Sequence, residues 1–338
     1  MERKTLRRIY NEGYDGSLVS GAKDTKIKID GKWLLDTCMG CGTHIFGHPK
    51  RIVFEGSPLY AHPNRLAIEA GELLKKSTGF EHFIFANSGT EATMKAIRLA
   101  RSYTGRDKVA FFEGHWHGSQ DYNLASYSKG IPQAVKDLVL VLPFTDKAFE
   151  TIEKEKPALV MIEPVQGADP VCRVDFLKRL RNVTKRNKVL LCFDEVITGF
   201  RMALGGMSEV LGITPDLVTY GKTLGGGVPI GVIGGNEVIE SNDVFMGGTF
   251  SANPLQISQC IKTLKRLIDE KPHKKLLELT GGLKSENIKV CLNMAKVQKV
   301  PERLNGVYLN KNRMILLSTK HTKKDVEFIK RAFNEKKV

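Results

Sequence analysis

The chain has 338 residues, of which 41% are hydrophobic, and this is enough for one large domain or two domains with packed cores. No apolar run approaches membrane-spanning length and none follows the charged start, so we expect a cytoplasmic protein without a signal peptide or a membrane partner. The net charge of +15 comes from lysines spread along the chain without interleaved aromatic residues, which argues against a nucleic-acid partner.

A β-hairpin is predicted near the start of the chain. Residues 26–29 alternate between polar and apolar side chains, Asp30-Gly31 is a typical turn, and residues 33–35 supply the returning strand. We expect residues 1–53 to form the first part of a small domain.

Two of the six cysteines, Cys38 and Cys41, have the spacing of redox or metal sites. Another, Cys192, lies inside a predicted buried strand. Free thiols in a reducing compartment are the preferred interpretation. A redox or metal role for Cys38 and Cys41 stays open as the alternative.

An anion site is predicted where a strand meets a helix. A first helix is expected at residues 64–76 and a strand at residues 82–86, which leads into Asn87-Ser88-Gly89-Thr90-Glu91. Ser88 and Glu91 have the spacing of a capping box at the start of a second helix. Free N–H groups and the helix dipole favour an anion there. The alternative is a well-capped helix without a ligand.

A histidine- and tryptophan-containing turn follows the next predicted strand, residues 109–112. His115 and His117 could suggest a metal, but no further cluster of ligands accompanies them. We interpret Trp116 as a flat aromatic side chain that stacks on a planar ring. A core tryptophan is the alternative.

Alternation of strands and helices predicts the fold class. Further strands are expected at residues 139–142 and 158–162, and the second ends at Glu163, with Gln166 close behind. From about residue 82 to residue 235 this alternation predicts an α/β fold with a mostly parallel, doubly wound sheet. Polar residues after such strands gather at the carboxyl edge of the sheet, where open α/β folds bind ligands.

Two neighbouring predicted strands, residues 189–193 and 217–220, end near Asp194 and Lys222. An acid and a lysine at one sheet edge suit pyridoxal phosphate. This cofactor needs an amine to hold its aldehyde as a Schiff base and a carboxylate to keep its ring nitrogen protonated. We assign Lys222 to the first role and Asp194 to the second.

Less specific interpretations exist for both residues. Asp194 can cap a helix and Lys222 can be a solvated surface lysine, which is the commoner situation for either residue type. Gly221-Lys222-Thr223 also ends like a nucleotide-binding loop, but Asp216 stands where such a loop requires its first glycine.

The remaining chain is predicted to complete both domains. A strand is expected at residues 229–235, a second glycine- and hydroxyl-rich turn at residues 247–254, and a helix at residues 255–268. Residues 270–300 are predicted to be mostly helical. The predicted domains are an N-terminal part of the small domain at 1–53, a large domain at 54–254, and a trimmed C-terminal small domain at 255–338.

Several ordered motifs resemble those of the class III family of pyridoxal-phosphate-dependent aminotransferases. They are Asn87-Ser88-Gly89-Thr90-Glu91-Ala92-Thr93-Met94, residues 194–201, Gly221-Lys222 with its trailing glycines, and residues 248–254. Within that family they look most like glutamate-1-semialdehyde 2,1-aminomutase. The resemblance covers most of residues 20–260. It implies the fold type I architecture, with a large domain and a small α+β domain built from both termini.

The resemblance also implies roles for individual residues. Lys222 and Asp194 would be catalytic and would contact the cofactor. The other expected cofactor contacts are Trp116 and Val196 on the two ring faces, Glu163 near the polar edge together with Gln166, Ser88, Gly89 and Thr90 at the phosphate, and Thr249 at the phosphate of the neighbouring subunit. His117 is expected to contact the cofactor as well. The active unit would then be a homodimer with the site at the subunit interface.

Departures from the aminomutase pattern bear on the reaction. The loop after Asp121 is reduced to about residues 124–134, and the substrate-carboxylate arginine has no clear counterpart, although Arg7 and Arg8 are near the start. We expect an aminotransferase that moves an amino group from an amino-acid donor to a small carbonyl acceptor, phosphorylated or sugar-derived. The alternatives are an intramolecular aminomutase and a protein that binds pyridoxal phosphate without turnover.

Overall fold

The computed structural model of the chain describes residues 19–53, 64–126, 128–241, 244–300 and 306–334. Two compact units result, a large unit from residues 53–273 and a small unit from the described parts of residues 1–52 and 274–338. Within the described ranges, no helix is both long and apolar enough to cross a membrane. Arg7 and Arg8 lie outside these ranges.

Strands and helices alternate along the large unit, whereas short strands dominate the small unit. The strands are β1 (Val19–Lys23), β2 (Lys26–Ile29), β3 (Lys32–Asp36), β4 (His82–Ala86), β5 (Val109–Phe112), β6 (Val139–Leu142), β7 (Leu159–Ile162), β8 (Leu190–Glu195), β9 (Leu217–Tyr220), β10 (Gly231–Gly235), β11 (Ile288–Cys291), β12 (Met294–Val297), β13 (Val307–Tyr308) and β14 (Met314–Ile315). The helices are α1 (Arg65–Thr78), α2 (Gly89–Thr104), α3 (Asp121–Leu124), α4 (Gln133–Lys136), α5 (Asp146–Glu155), α6 (Val174–Arg186), α7 (Gly206–Leu211), α8 (Glu237–Glu240), α9 (Pro254–Glu270), α10 (His273–Gly281) and α11 (Lys323–Asn334).

The large unit is built on a seven-stranded sheet with the order β4-β10-β9-β8-β7-β5-β6. The strands from β9 to β6 run parallel to one another, while β10 is antiparallel to both β4 and β9. β5, β7, β8 and β9 are buried along their whole length, as expected for strands covered on both faces. The prediction of an α/β fold with a mostly parallel sheet is confirmed.

Helix α2 is held tightly against the sheet. Its buried residues, which include Ala92, Ala96 and Ile97, recur at helical spacing and join the core under β9 and β10. A Cβ atom at Gly231 of β10 would lie 2.1 Å from the Ser88 carbonyl oxygen, so the close approach of strand and helix start requires glycine. The first turn of α2 is therefore fixed at the edge of the sheet.

Helix α9 belongs to the large unit, whereas the sequence analysis assigned residues 255–273 to the small domain. Pro254 lies in the first turn of α9, and the Asn253 side chain accepts a hydrogen bond from the Gln256 N–H. The helix packs against α1 and buries residues such as Leu264 along its length. This packing places the boundary between the units after residue 273.

The small unit contains two sheets, with the orders β1-β2-β3-β13 and β11-β12-β14. The predicted hairpin of β2 and β3 forms in antiparallel register. The prediction that residues 270–300 are mostly helical is wrong beyond Gly281, because β11 and β12 form an antiparallel hairpin there. Ile288 and Val297 from this hairpin pack into a core with Phe333 of α11, and this packing determines the local structure.

The packing of α1 can be tested with two substitutions in the same helix. Leu74 has 0% of its surface exposed, so Leu74→Ala should lower the free energy of unfolding by about 2–5 kcal/mol. Ile68 is 69% exposed, and Ile68→Ala should change it by less than about 0.5 kcal/mol. Urea unfolding followed by circular dichroism measures both. Equal effects of the two substitutions would contradict this packing.

Candidate active site

The carboxylate of Asp194 lies near the carboxyl end of β8 and is held by donors from three parts of the large unit. Its Oδ2 lies 2.7 Å from Nδ1 of His117, and its Oδ1 accepts hydrogen bonds from the Thr219 hydroxyl and the Val196 N–H, each at 3.1 Å. The side chain is almost completely buried. Glu195 follows it in the strand and faces the other way, where its carboxylate accepts bonds from the Met207 and Ser208 N–H groups.

His117 is oriented from both sides. Its backbone N–H donates to the Asn123 side chain at 3.0 Å, and its ring packs on Phe111 with a centroid distance of 5.3 Å. Because Nδ1 faces a carboxylate, we assign a proton to Nδ1. The Nε2 atom is buried and has no hydrogen-bond partner in the described part of the chain. The ring is therefore fixed by its contact with Asp194.

Glu163 and His115 form a second buried pair beside this one. The Glu163 carboxylate accepts the N–H groups of Trp116 at 3.0 Å and Gly167 at 3.1 Å. Burial raises the pKa of Glu163 to about 7. The His115 Nδ1 accepts the Glu163 N–H at 3.0 Å, and burial lowers the pKa of His115 to about 2. This imidazole is therefore neutral, with its proton on Nε2.

The predicted anion site lies at the start of α2. The Ser88 hydroxyl accepts the Glu91 N–H at 3.1 Å, which confirms Ser88 as the N-cap. In a complete capping box the Glu91 carboxylate would accept the Ser88 N–H. Here it accepts the backbone N–H and the side-chain amide of Asn87, one residue earlier. The Thr90 hydroxyl accepts the Ser119 N–H at 3.1 Å. The first helical turn thus has a defined geometry, with its N–H groups at the sheet edge.

Lys222 begins a short 3₁₀ turn directly after β9 and Gly221. Its φ of 38° is in the left-handed region, which is unfavourable for a residue with a side chain and occurs mainly where the surrounding structure enforces it. The side chain is half-buried, and no carboxylate is paired with its ammonium group in the described ranges. The amine is consequently available for other chemistry.

Glycines bring three of the motifs into contact. A Cβ atom at Gly221 would lie 3.3 Å from Cγ1 of Val196 and 3.8 Å from the Cα of Gly89. A Cβ atom at Gly89 would lie 2.9 Å from the same Val196 methyl group. Three segments therefore meet at one edge of the sheet: the one that leads into Lys222, the one that follows Asp194, and the first turn of α2.

Two predicted site residues lie toward the surface of the large unit. Trp116 is 50% exposed, although its backbone is fixed by Glu163, so it is no core tryptophan. Thr249 is exposed on a turn whose Gly248 lies near the Glu91 carboxylate. Among the described residues, no hydrogen bond joins Thr249 to Asp194 or Lys222.

Sequence reasoning missed several residues that support this site. Thr219 lies opposite Asp194 in the register of β8 and β9, and Asn123 orients His117. Lys95 is buried, forms an ion pair with Glu91 at 2.7 Å and donates to the Ser251 hydroxyl at 3.3 Å. A lysine on the apolar face of the predicted helix was the only sequence signal for this last contact.

The chain matches one protein family over most of its length. The model of the family described as "Aminotransferase class-III" matches residues 25–308. Glutamate-1-semialdehyde 2,1-aminomutase from Archaeoglobus fulgidus is 39% identical over 292 residues, which cover 78% of this chain and 70% of that protein. The protein of that name from Methanocaldococcus jannaschii is 38% identical over 283 residues, 74% of this chain and 66% of its own length.

Solved structures share the fold. An omega-transaminase from Sphaerobacter thermophilus superposes with a TM-score of 0.84 at 27% identity and covers 98% of this chain and 96% of that one. A glutamate-1-semialdehyde-aminomutase from Pseudomonas aeruginosa in complex with PMP gives a TM-score of 0.81 at 21% identity, with 94% and 86% covered.

Glu163 should cause a pH dependence of stability. Its pKa of about 7 in the folded protein lies above the ordinary value of 4.5, so the folded state binds this proton more tightly than the unfolded chain does. The resulting stabilisation is complete below pH 4.5 and disappears as the pH rises to about 7; it amounts to at most about 3 kcal/mol.

Glu163→Gln removes this titration. The difference in unfolding free energy between the natural protein and this variant should therefore fall between pH 4.5 and about 7 and stay constant above that range. Urea unfolding at a series of pH values measures it, with Glu150→Gln on the surface as the control. Parallel curves for the natural protein and Glu163→Gln would show that this carboxyl group titrates normally.

Proposed function

Because the chain belongs to the class-III aminotransferase family, we propose that it holds pyridoxal 5′-phosphate at the carboxyl ends of β8 and β9 and transfers amino groups. The reaction is transfer from an amino-acid donor to a small carbonyl acceptor. The contact of Gly89, Val196 and Gly221 carries the proposal, since it brings an anion site, a buried carboxylate and an amine to one sheet edge.

The residues at this edge fit the chemical groups of the cofactor. Asp194 offers a buried carboxylate to a protonated ring nitrogen, the start of α2 offers N–H groups to a phosphate, and Lys222 offers an amine to an aldehyde. When bound, pyridoxal phosphate accepts the electrons left on a substrate carbon after a proton is removed. All other tasks fall to residues of this chain.

Lys222 has two tasks in the proposed reaction. Its Nζ would hold the cofactor through the aldehyde, and the same amine would move a proton at the substrate carbon. The left-handed backbone of Lys222 and its half-buried side chain support a fixed position for this amine.

Asp194 would offer its carboxylate to the protonated ring nitrogen. His117 is its positioning residue, because the contact at 2.7 Å orients the carboxylate and Asn123 in turn orients His117. Trp116 and Val196 would cover the two faces of the ring, and half of the surface of Trp116 is exposed. Glu163 and Gln166 would lie near its polar edge.

Ser88, Gly89 and Thr90 would hold the phosphate, and Thr249 would reach the phosphate site of a second copy. This arrangement makes the active unit a homodimer with the site at the interface. The turn carrying Thr249 supports it, since the nearby Phe245 is 81% exposed and Phe250 is exposed as well. We further predict that the other partners are small molecules and that the protein is located in the cytoplasm.

An intramolecular aminomutase is the second candidate. The names of the relatives from A. fulgidus and M. jannaschii favour it. A mutase must retain its intermediate behind a closed lid, whereas residues 124–134 form only a short segment with the short helices α3 and α4 at its ends. The short segment favours transfer to a separate acceptor, phosphorylated or sugar-derived given the positive net charge.

Borohydride reduction of the holoenzyme tests the role of Lys222. Peptide mapping should find the reduced cofactor on Lys222, and Lys222→Ala should lower the transfer rate by at least about 10²-fold. Lys185→Ala, on the surface of α6, serves as the control and should keep both the label and the rate. Label on a different lysine would refute the assignment.

A donor and acceptor screen decides between the candidate reactions. With an aminotransferase, amino donors convert the bound cofactor to its amine form, and carbonyl acceptors restore the aldehyde form, both visible by absorption. Glutamate-1-semialdehyde supplied alone should give no 5-aminolevulinate. Its formation would favour the mutase, and a cofactor spectrum that no donor changes would favour binding without turnover.

A further inference from the structure

We propose that Cys38 and Cys41 form a reversible dithiol–disulfide pair, whose two thiols are oxidised by low-molecular-weight disulfides. The pair lies in the small unit, in the loop that follows β3. The residues proposed to hold the cofactor belong to the large unit.

The two sulfur atoms are already in contact. Cys38 Sγ lies 3.7 Å from Cys41 Sγ, and the Cys38 thiol donates a hydrogen bond to the Cys41 sulfur. The Cys38 sulfur also accepts the Cys41 N–H at 3.2 Å and the Asn310 side-chain amide at 3.1 Å. Cys38 is buried, whereas Cys41 is exposed, so a reagent from solution reaches Cys41 first.

The backbone of the loop creates this contact. Four consecutive residues have positive φ angles, 49° at Met39, 63° at Gly40, 54° at Cys41 and 87° at Gly42. This is one turn of left-handed helix, closed by a hydrogen bond from the Gly42 N–H to the Cys38 carbonyl oxygen at 3.0 Å. Residues three apart lie on the same side of such a turn.

A left-handed turn is unfavourable for residues with side chains, and Met39 and Cys41 both have one. The structure fixes the turn by other contacts. The Cys38 N–H donates to the Asp36 carboxylate at 2.7 Å, and the His44 N–H donates to the Met39 carbonyl oxygen at 3.0 Å. A disfavoured backbone that holds two thiols together is expected of a functional site.

The electrostatics divide the tasks between the thiols. Its hydrogen bond to Cys41, together with burial, raises the pKa of the Cys38 thiol well above the usual range. Cys38 therefore keeps its proton, and the exposed sulfur of Cys41 is the one that meets a reagent from solution. The thiolate is the nucleophile in disulfide exchange.

A metal site does not explain this pair as well. In the ranges that the structure describes, no group of three or more histidine, cysteine, aspartate or glutamate side chains is arranged to hold a metal ion. The nearby His48 is engaged with Asp36 at 2.7 Å. Two sulfur atoms alone are what disulfide exchange requires.

The exchange proceeds in two steps. The Cys41 thiolate attacks one sulfur of a small disulfide, and the other sulfur leaves as a thiolate that takes up a proton. Cys38 then gives up its proton and attacks the Cys41 sulfur, releasing the second small thiol. The protein dithiol is oxidised by two electrons, and one small disulfide is reduced to two thiols.

The tryptic peptide of residues 33–50 contains Cys38 and Cys41 and no other cysteine, which makes the test direct. The full-length protein is equilibrated with mixtures of reduced and oxidised glutathione, quenched with acid, alkylated and digested. We expect this peptide to lose two hydrogen atoms and to escape alkylation as the oxidised fraction rises. Reduced dithiothreitol should restore both thiols.

Single substitutions separate the two thiols. Cys38→Ser should leave glutathione bound to Cys41, because the second attack is lost, whereas Cys41→Ser should leave Cys38 unmodified. Cys172→Ser is the control and should behave like the natural protein. Glutathione that stays on Cys41 in the natural protein, or oxidation of the pair only after unfolding in urea, would overturn the proposal without any variant.

Discussion

The large unit depends on one buried negative charge, the carboxylate of Asp194. Burying an ionised carboxylate is unfavourable unless hydrogen bonds and an opposite charge replace the lost water. Here the donors are the His117 ring, the Thr219 hydroxyl and the Val196 N–H, which come from the turn after β5, from β9 and from the end of β8. Satisfying this charge therefore fixes the relative positions of three strand ends, and the proposed cofactor site includes those ends.

The same charge affects its neighbours. Burial is the main cause of the raised pKa of Glu163, and the charge of Asp194 raises it further. Burial likewise keeps His115 neutral, and the charge of His117 lowers its pKa further. Burial thus favours the neutral form of both of these neighbours, the carboxylic acid of Glu163 and the imidazole of His115.

Much of the fold could be predicted from short apolar runs. β5, β6 and β9 have the predicted bounds. β5 and β9 are fully buried, and fully buried strands of a parallel sheet consist of consecutive apolar residues. The hairpin of β11 and β12 could not be predicted in this way. Each strand has four residues, too few to separate a period of two from a helical period, and its structure depends on packing against β14 and α11.

The site was only partly predictable for a related reason. Residue types at strand ends predict roles for Asp194 and Lys222. The contact between His117 and Asp194, however, joins residues far apart in the chain, and nothing local signals it. The residues proposed to hold the cofactor lie at strand ends or at the start of α2, which the sheet fixes. The acceptor, by contrast, would be selected by connecting segments such as residues 124–134, whose structure the sheet does not determine. Motifs at strand ends therefore indicate the proposed reaction class more sharply than they indicate a substrate.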